Sequence, residues 1–224
     1  MSDLPLFPNI DSPSEDAPLY YESMAYEAGY RWIAGVDEVG RGPLAGPVVA
    51  AAVIMPYGIL YPGIRDSKQI PPKAREEALL LILENAVAIG IGVMSHRKVD
   101  EINILQASLQ AMKQAVRFLS PTPDLCLVDG PFKAPMTIPQ RCIIRGDALS
   151  QSISAASIVA KVYRDRIMCA YHEQFPAYGF FENKGYATSS HQAALKKHGP
   201  CPIHRVTFRG VCDDKGAAGS RKRG

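Results

Sequence analysis

The sequence predicts an α/β domain built on a mixed β-sheet. Apolar stretches of strand length alternate along the chain with longer segments of helical periodicity. The length of 224 residues, with 47% hydrophobic and 21% charged residues, is typical of one globular domain. The longest apolar stretches, near residues 47–55 and 78–83, are shorter than the roughly 18 residues that a membrane-spanning helix needs. We therefore expect a globular chain that does not contact a membrane.

The first half of the chain predicts three strands and two helices. The first two strands are apolar and are joined by a glycine-rich turn. The first helix has proline in its first turn, and Asp100 is the expected N-cap of the second helix. In chain order these elements are strands 31–38 and 47–55, helix 72–86, strand 88–95 and helix 100–118.

The second half predicts two more strands and two more helices. One strand covers residues 124–129 and ends in Asp-Gly, and the next covers residues 140–145. A long helix over 149–175 contains the run S-A-A-S-I-V-A-K-V, and a last helix over 189–198 ends before a Gly-Pro pair.

Charge is distributed unevenly and suggests three regions. Residues 1–30 carry −6 and form an expected acidic, partly disordered arm, whereas the tail 212–224 carries +2 and is expected to be disordered. The domain between them, residues 31–211, carries +7, and residues 160–212 alone carry +5 with Arg164 and Arg205 included. A basic body favours an anionic partner such as nucleic acid, although surplus lysine on a solvated surface is the simpler explanation.

The N-terminal arm and the cysteines indicate the compartment. Residues 1–30 contain no Lys or Arg and no apolar core segment, unlike a signal peptide. Five cysteines without C-x-x-C spacing are typical of free thiols in a reducing cytosol. His198, Cys201 and His204 are spaced like metal ligands, but no second such pair exists to complete a structural zinc site. We expect a cytoplasmic protein without structural zinc.

Four acidic residues are candidates for catalysis. Asp37 and Glu38 end the first strand, Asp129 ends another, and Asp147 opens a helix. Taken singly, Asp129 is more simply the start of a turn and Asp147 an N-cap. Gathered in one site, four carboxylates need cations, and hard oxygen ligands select Mg²⁺ or Mn²⁺. Two such ions about 4 Å apart are the usual arrangement for phosphodiester hydrolysis, so the set predicts a metal-dependent nuclease.

The glycine-rich turn from Gly40 to Gly46 is not a dinucleotide-binding loop, because an apolar strand follows where that motif needs a helix. Residues 31–211 contain the motifs A-G-V-D-E-V-G-R-G-P-L-A-G-P-V-V-A-A-A-V, D-S-K, L-V-D-G, S-A-A-S-I-V-A-K-V-Y-R-D, Y-G-F-F-E-N-K-G-Y-A-T and H-G-P-C-P-I-H-R. In these motifs and in their order the chain closely resembles bacterial ribonuclease HII.

This resemblance implies a ribonuclease H-like mixed sheet flanked by helices, with a small C-terminal helical segment. It also assigns roles to individual residues. Asp37, Glu38, Asp129 and Asp147 match the metal-binding acids. Gly40, Arg41 and Gly42 match the turn whose backbone contacts the ribose 2′-hydroxyl, and Tyr186 resembles the tyrosine that packs on the following deoxyribose. The residues that resemble phosphate contacts are Ser67, Lys68, Lys161 and Lys184. The family usually has His where this chain has Asn183, so Asn183 is left out of the site.

The resemblance implies a monomeric endoribonuclease that uses two Mg²⁺ or Mn²⁺ ions. It would cut RNA·DNA hybrids and the 5′ side of single ribonucleotides in duplex DNA. Alternatives are a junction resolvase and a degenerate hybrid-binding module; the Gly-Arg-Gly turn disfavours the first and the four acids disfavour the second. Residues Leu4, Pro5, Leu6 and Phe7 weakly resemble peptides that bind a sliding clamp.

Overall fold

The computed structural model describes residues 17–64 and 71–212, which include a five-stranded sheet covered by helices on both faces. In chain order the strands are β1 (Ile33–Val39), β2 (Val48–Ile54), β3 (Ala88–Met94), β4 (Leu125–Asp129) and β5 (Gln140–Ile143). Across the sheet the order is β3-β2-β1-β4-β5. The β1–β2 and β2–β3 pairs are antiparallel, whereas the β1–β4 and β4–β5 pairs are parallel. The sheet is therefore mixed, as predicted.

Two helical layers enclose this sheet. Within the described ranges the helices are α1 (Tyr20–Glu27), α2 (Pro72–Asn85), α3 (His96–Ile102), α4 (Ile104–Arg117), α5 (Gly146–Leu149), α6 (Gln151–Gln174), α7 (Phe180–Asn183) and α8 (Ser189–His198). Helix α4 packs on one face, and α2 and α6 pack on the other. Every residue of β2 is buried, since both of its faces are covered. No helix in these ranges is long and apolar enough to cross a bilayer.

The helices approach the sheet closely where the strands carry glycine. A Cβ atom added at Gly35 of β1 would lie 2.0 Å from the carbonyl carbon of Ser152 in α6. A Cβ atom at Gly92 of β3 would lie 2.0 Å from the carbonyl oxygen of Ala111 in α4. Either side chain would overlap helix backbone, so only glycine permits this packing.

The helix predicted over residues 100–118 is in fact two helices. Asn103 has a φ of +67°, which ends α3, and its side chain accepts a hydrogen bond from Gln106 N to begin α4. Asp100 is therefore not a helix cap, and its prediction as one was wrong. Its carboxylate instead accepts hydrogen bonds from the backbone N–H groups of Val206 and Thr207, at 3.0 and 3.1 Å. Asp100 thus anchors the C-terminal segment.

Helix α1 lies in a stretch that the sequence analysis assigned to the N-terminal arm. Tyr21 and Ala25 are buried with Ile33 of β1 and Leu125 of β4. One oxygen of the buried Glu22 carboxylate accepts hydrogen bonds from Ser150 Oγ and Ser152 N, at 2.6 and 2.9 Å. Residues 20–27 therefore pack with the domain. The first sixteen residues, including Leu4 to Phe7, and the tail beyond residue 212 lie outside the described part.

The C-terminal segment packs against the loop that follows β1. Gly46 N donates to Ile203 O, and Arg205 N donates to Leu44 O, both at 2.9 Å. Ala45 and His204 form an antiparallel bridge between these hydrogen bonds. The loop before β2 is therefore held by residues about 160 positions away in the chain.

Candidate active site

The four predicted acids lie where β1, β4 and α5 meet. Asp37 and Glu38 are near the C-terminal end of β1, and Asp129 ends the neighbouring parallel strand β4. Asp147 lies within α5 rather than at its N-cap, which is Arg145. Asp37 and Asp147 are each only 4% exposed, whereas Glu38 and Asp129 are partly buried. The ends of β1 and β4 thus position Asp37, Glu38 and Asp129, whereas Asp147 comes from helix α5.

The electrostatics of Asp37 reflect this gathering of carboxylates. Burial raises the pKa of Asp37 well above its usual range, and the charges of Glu38, Asp129 and Asp147 raise it further. Burial also raises the pKa of Glu38, although Arg41 opposes this shift through a 3.2 Å ion pair. Ionised carboxylates in this arrangement therefore require positive charge nearby.

Hydrogen bonds hold three of the acids in place. Asp37 Oδ1 accepts a 2.7 Å hydrogen bond from Glu38 N. Asp129 Oδ1 accepts one of the same length from Gly146 N, which joins the end of β4 to the start of α5. Ser154 Oγ of α6 donates to the carbonyl oxygen of Asp147 at 2.6 Å. The backbone at Asp147 is therefore held by Asp129 through Gly146 N and by Ser154 through the Asp147 carbonyl oxygen.

The chemistry of this donor set fits a hard divalent cation. Carboxylate oxygens are the ligands that Mg²⁺ and Mn²⁺ prefer, and a cation would offset the repulsion around Asp37. Within the described residues, no three His, Cys, Asp or Glu side chains converge tightly enough to form a ready-made metal site. His198, Cys201 and His204 are among the described residues and form no such cluster. The four acids fit a metal by charge and donor type.

The Gly-Arg-Gly turn (residues 40–42) lies beside Tyr186. A Cβ atom at Gly42 would lie 3.7 Å from Cε1 of the Tyr186 ring, so the ring faces the turn. At Gly40, φ is +97° and a Cβ atom would lie 2.7 Å from the Pro47 carbonyl oxygen, so glycine is required there. The Arg41 side chain and Tyr186 are 45% and 42% exposed, which leaves both accessible to a ligand.

Two buried arginines that the sequence analysis counted as basic surface instead support this turn. Arg205 is fully buried and donates five hydrogen bonds, of 2.6–3.1 Å, to the carbonyl oxygens of Gly40, Arg41, Pro43 and Gly46. Arg164, also fully buried, donates to the carbonyl oxygens of Pro47, Ala45 and Lys184. Burial, with the charge of Arg164, lowers the pKa of Arg205 to about 9. Both arginines occur in motifs of the resemblance, which was the available signal.

Two of the predicted phosphate contacts, Lys161 and Lys184, have partners within the protein. Lys161 pairs with Asp165 at 2.8 Å on α6. Lys184 Nζ donates to the Phe181 carbonyl oxygen and lies 3.2 Å from Cys169 Sγ of α6, so its ammonium group is held between its own segment and α6. Ser67 and Lys68 lie outside the described residues.

Asn183, which departs from the family pattern, has a local structural role. Its amide nitrogen donates to Tyr178 O at 2.6 Å, and its amide oxygen accepts from Gly185 N at 2.7 Å. The residue is buried and closes the turn that precedes Tyr186.

A cleft opens beside two of the acids. Glu38, Arg41 and Asp129 form its polar side, and Leu105, Leu109 and Met112 of α4 are among the apolar residues that line it. Phe132 also lines the cleft and is 48% exposed. An apolar surface therefore adjoins the acidic site.

Comparison with known proteins shows which family the chain matches. The sequence model for the family Ribonuclease HII matches residues 34–211. Ribonuclease HII of Geotalea uraniireducens is 55% identical over 211 residues, covering 94% of this chain and 96% of the relative. Ribonuclease HII of Citrifermentans bemidjiense is 56% identical over 209 residues, covering 92% and 89% respectively.

Solved structures share the fold. Ribonuclease H2 of Pyrococcus horikoshii superimposes with a TM-score of 0.67 at 24% identity, covering 81% of this chain and 95% of that one. The Archaeoglobus fulgidus ribonuclease HII, solved in complex with PCNA, has a TM-score of 0.63 at 25% identity, covering 75% and 88%. Bst ribonuclease HIII in complex with Mn²⁺ has a TM-score of 0.63 at 18% identity, covering 80% and 68%.

Proposed function

Because the chain belongs to the ribonuclease HII family and is thus a hydrolytic ribonuclease, we propose that it cuts duplex DNA on the 5′ side of single embedded ribonucleotides, as well as the RNA strand of RNA·DNA hybrids. The observation that carries this proposal is the position of the Tyr186 ring beside the Gly-Arg-Gly turn, whose Arg41 pairs with Glu38 of the acidic site at 3.2 Å. One set of groups provides the chemistry, and the other contacts the sugars around the cleavage point.

Asp37, Glu38, Asp129 and Asp147 would hold two Mg²⁺ or Mn²⁺ ions, which supply activation of water and stabilisation of the departing 3′ oxygen. Water attacks phosphorus, the bond from phosphorus to the 3′ oxygen breaks, and the products carry a 5′-phosphate and a 3′-hydroxyl. The burial of Asp37 and the hydrogen bond of Asp129 to Gly146 N keep these carboxylates fixed while the reaction proceeds.

The Gly-Arg-Gly turn would recognise the ribonucleotide by its 2′-hydroxyl, the group that distinguishes RNA from DNA at one position. Arg205 and Arg164 satisfy several carbonyl oxygens around the turn and hold its backbone in one conformation. Tyr186 would pack on the next sugar and favour deoxyribose there, because an added 2′-hydroxyl would be desolvated against the ring.

The proposal is tested with a DNA duplex that contains one ribonucleotide, in Mg²⁺ or Mn²⁺. A single cut on the 5′ side of the ribonucleotide is the expected result. An uncut duplex together with cleavage of a four-way DNA junction assayed in parallel would support a resolvase, and binding of the duplex without cleavage of either substrate would support a hybrid-binding module.

Asp129→Asn tests the acidic site. Asparagine retains an oxygen that can accept from Gly146 N, so the fold should persist while a ligand charge is lost. We expect cleavage to be abolished and binding to the same duplex in Ca²⁺ to survive, since phosphate contacts dominate affinity. Glu101→Gln, which changes an exposed carboxylate on α3, is the control and should cleave like the parent. Cleavage by Asp129→Asn at saturating Mg²⁺ would remove Asp129 from the site.

We also propose that the protein is monomeric and acts in the cytoplasm. A sliding clamp is a further expected partner through Leu4 to Phe7, which lie outside the described residues. In its support, an archaeal relative has been solved in complex with PCNA.

A further inference from the structure

Two buried histidines connect Tyr186 to the C-terminal segment. His191 is fully buried and His204 is 2% exposed, and their Nε2 atoms lie 3.0 Å apart. His191 Nδ1 lies 2.8 Å from the carbonyl oxygen of Tyr186. His204 Nδ1 lies 3.0 Å from the backbone nitrogen of Cys201. The two imidazole rings thus form a continuous chain of hydrogen bonds from Tyr186 to Cys201.

The partners determine where each ring carries its proton. A carbonyl oxygen only accepts, so His191 carries its proton on Nδ1 and presents Nε2 as an acceptor. His204 then donates from Nε2, and its unprotonated Nδ1 accepts from Cys201 N. Cys201 Sγ and the Cys201 carbonyl oxygen lie 3.1 and 3.3 Å from the same Nδ1, and the carbonyl oxygen accepts a 3.0 Å hydrogen bond from His204 N. Burial lowers the pKa of both histidines, that of His204 to about 4, which keeps both rings neutral.

Aromatic rings shield this hydrogen-bond chain. The Phe180 ring packs edge-on against His191 at 5.4 Å, and the Tyr178 ring lies 5.0 Å from His204. Because the surroundings are apolar, a lost hydrogen bond here leaves a buried polar atom without a partner.

His204 also lies on the segment that fixes the Gly-Arg-Gly turn. Its backbone forms the bridge with Ala45, three residues after Gly42. The Tyr186 ring in turn faces Gly42. Contacts therefore connect the turn to Tyr186 in two ways: directly, from Gly42 to the ring, and indirectly, through Ala45, His204 and His191. The turn and Tyr186 are the two groups proposed to contact the sugars.

We propose that His191 and His204 are positioning residues that hold Tyr186 at a fixed distance from the Gly-Arg-Gly turn and so set the preference for a ribonucleotide followed by a deoxyribonucleotide. This inference rests on the proposed function. Neither histidine contacts substrate, and both act through the Tyr186 backbone.

The experiment compares initial rates on a duplex with one ribonucleotide and on a continuous RNA·DNA hybrid. An asparagine amide reaches the position of histidine Nδ1, whereas a glutamine amide reaches that of Nε2. His204→Asn therefore removes the donor to His191, and His204→Gln retains it. His198→Asn is the matched control, because His198 is an exposed histidine of α8 that takes no part in the hydrogen bonds between Tyr186 and Cys201.

We expect the rate ratio, single ribonucleotide over hybrid, to fall about fivefold in His204→Asn, the effect of one buried hydrogen bond. The ratio should stay near the parent value in His204→Gln and His198→Asn. Tyr186→Ala should lower the ratio as well, and it serves as the positive control. The inference is overturned if the ratio in His204→Asn is unchanged, whether both rates stay at the parent value or both fall equally. If the parent itself does not cut at a single ribonucleotide, the proposed function fails, and this inference with it.

The proton positions give an independent measurement. Nitrogen NMR of the parent should show His191 protonated on Nδ1 and His204 on Nε2. The opposite assignment for His191 contradicts the chain. If His204→Asn does not fold, His191→Asn replaces it, since it keeps a donor to Tyr186 O while losing the acceptor for His204. We expect it to lower the same ratio, and a parent-like ratio overturns the inference.

Discussion

Gly35→Ala tests whether the packing of α6 on β1 controls the acidic site. The new Cβ atom would lie 2.0 Å from the carbonyl carbon of Ser152 and 2.3 Å from Ile153 N. Ordinary contact begins near 3.4 Å, so the start of α6 must move away from the sheet by the difference. Asp147 would move with it, because Ser154 Oγ of α6 binds its carbonyl oxygen.

The cost of this change follows from which atoms collide. The overlap is with helix backbone, which cannot rotate away, so we expect a destabilisation at the upper end of the about 1–3 kcal/mol typical of overpacking. A displacement near 1 Å in a catalytic constellation lowers rates about 100-fold. Cleavage per folded molecule should therefore fall by about that factor, in addition to the loss of stability.

A matched variant separates the two effects. Gly92→Ala places a Cβ atom 2.0 Å from Ala111 O of α4, an equal collision on a strand that carries none of the four acids. Gly63→Ala gives only an ordinary 3.5 Å contact with Leu81 and should behave like the parent. Urea unfolding gives stability, and initial rates at full folding give activity. If Gly35→Ala and Gly92→Ala lose the same activity per folded molecule, the coupling from α6 to Asp147 is refuted.

Three further outcomes are expected. Burial raises the pKa of Glu22 above its ordinary 4.5, so the stability it contributes is present below the unfolded-state pKa and is lost as pH rises through the folded-state value. Urea unfolding of the parent and Glu22→Gln should therefore diverge with pH, the parent being relatively most stable in acid; a pH-independent difference contradicts this. Arg205→Lys replaces five donated hydrogen bonds with at most three and should cost about 2–3 kcal/mol by the same assay, whereas a parent-like stability would show that the turn carbonyls do not need the guanidinium. Duplex affinity should fall steeply with salt, measured by titration at several ionic strengths, and a flat profile would exclude a phosphate-binding surface.

The elements that the sequence predicts well are those with local signals. Helix α8 has the predicted bounds because Thr188 caps its start and Gly199, at a φ of +72°, follows its end. The strands follow from apolar runs, and the acids at their ends follow from strand direction. The break at Asn103 was missed because a non-glycine residue at positive φ leaves only a weak trace in periodicity.

Elements stabilised by distant contacts could not be predicted in this way. Helix α1 is held by the bonds from Glu22 to Ser150 and Ser152, which are 128 and 130 residues away. The sequence of residues 17–28 has no helical periodicity that would distinguish this helix from the acidic arm. The direction of the Lys184 side chain depends equally on tertiary contacts, here with Phe181 and Cys169.

Arg205 shows why composition misleads at the Gly-Arg-Gly turn. An isolated cation is costly to bury, so each arginine in the sequence is expected to lie on the surface and to add to its charge. The loop from Gly40 to Gly46 changes that balance, because it follows β1 without a ladder of its own and directs several carbonyl oxygens inward. One guanidinium satisfies four of these carbonyls, which a neutral side chain cannot do. The chemistry of the site is thus set locally by acids at strand ends, whereas the shape of the turn that faces Tyr186 is set by a cation from the opposite end of the chain.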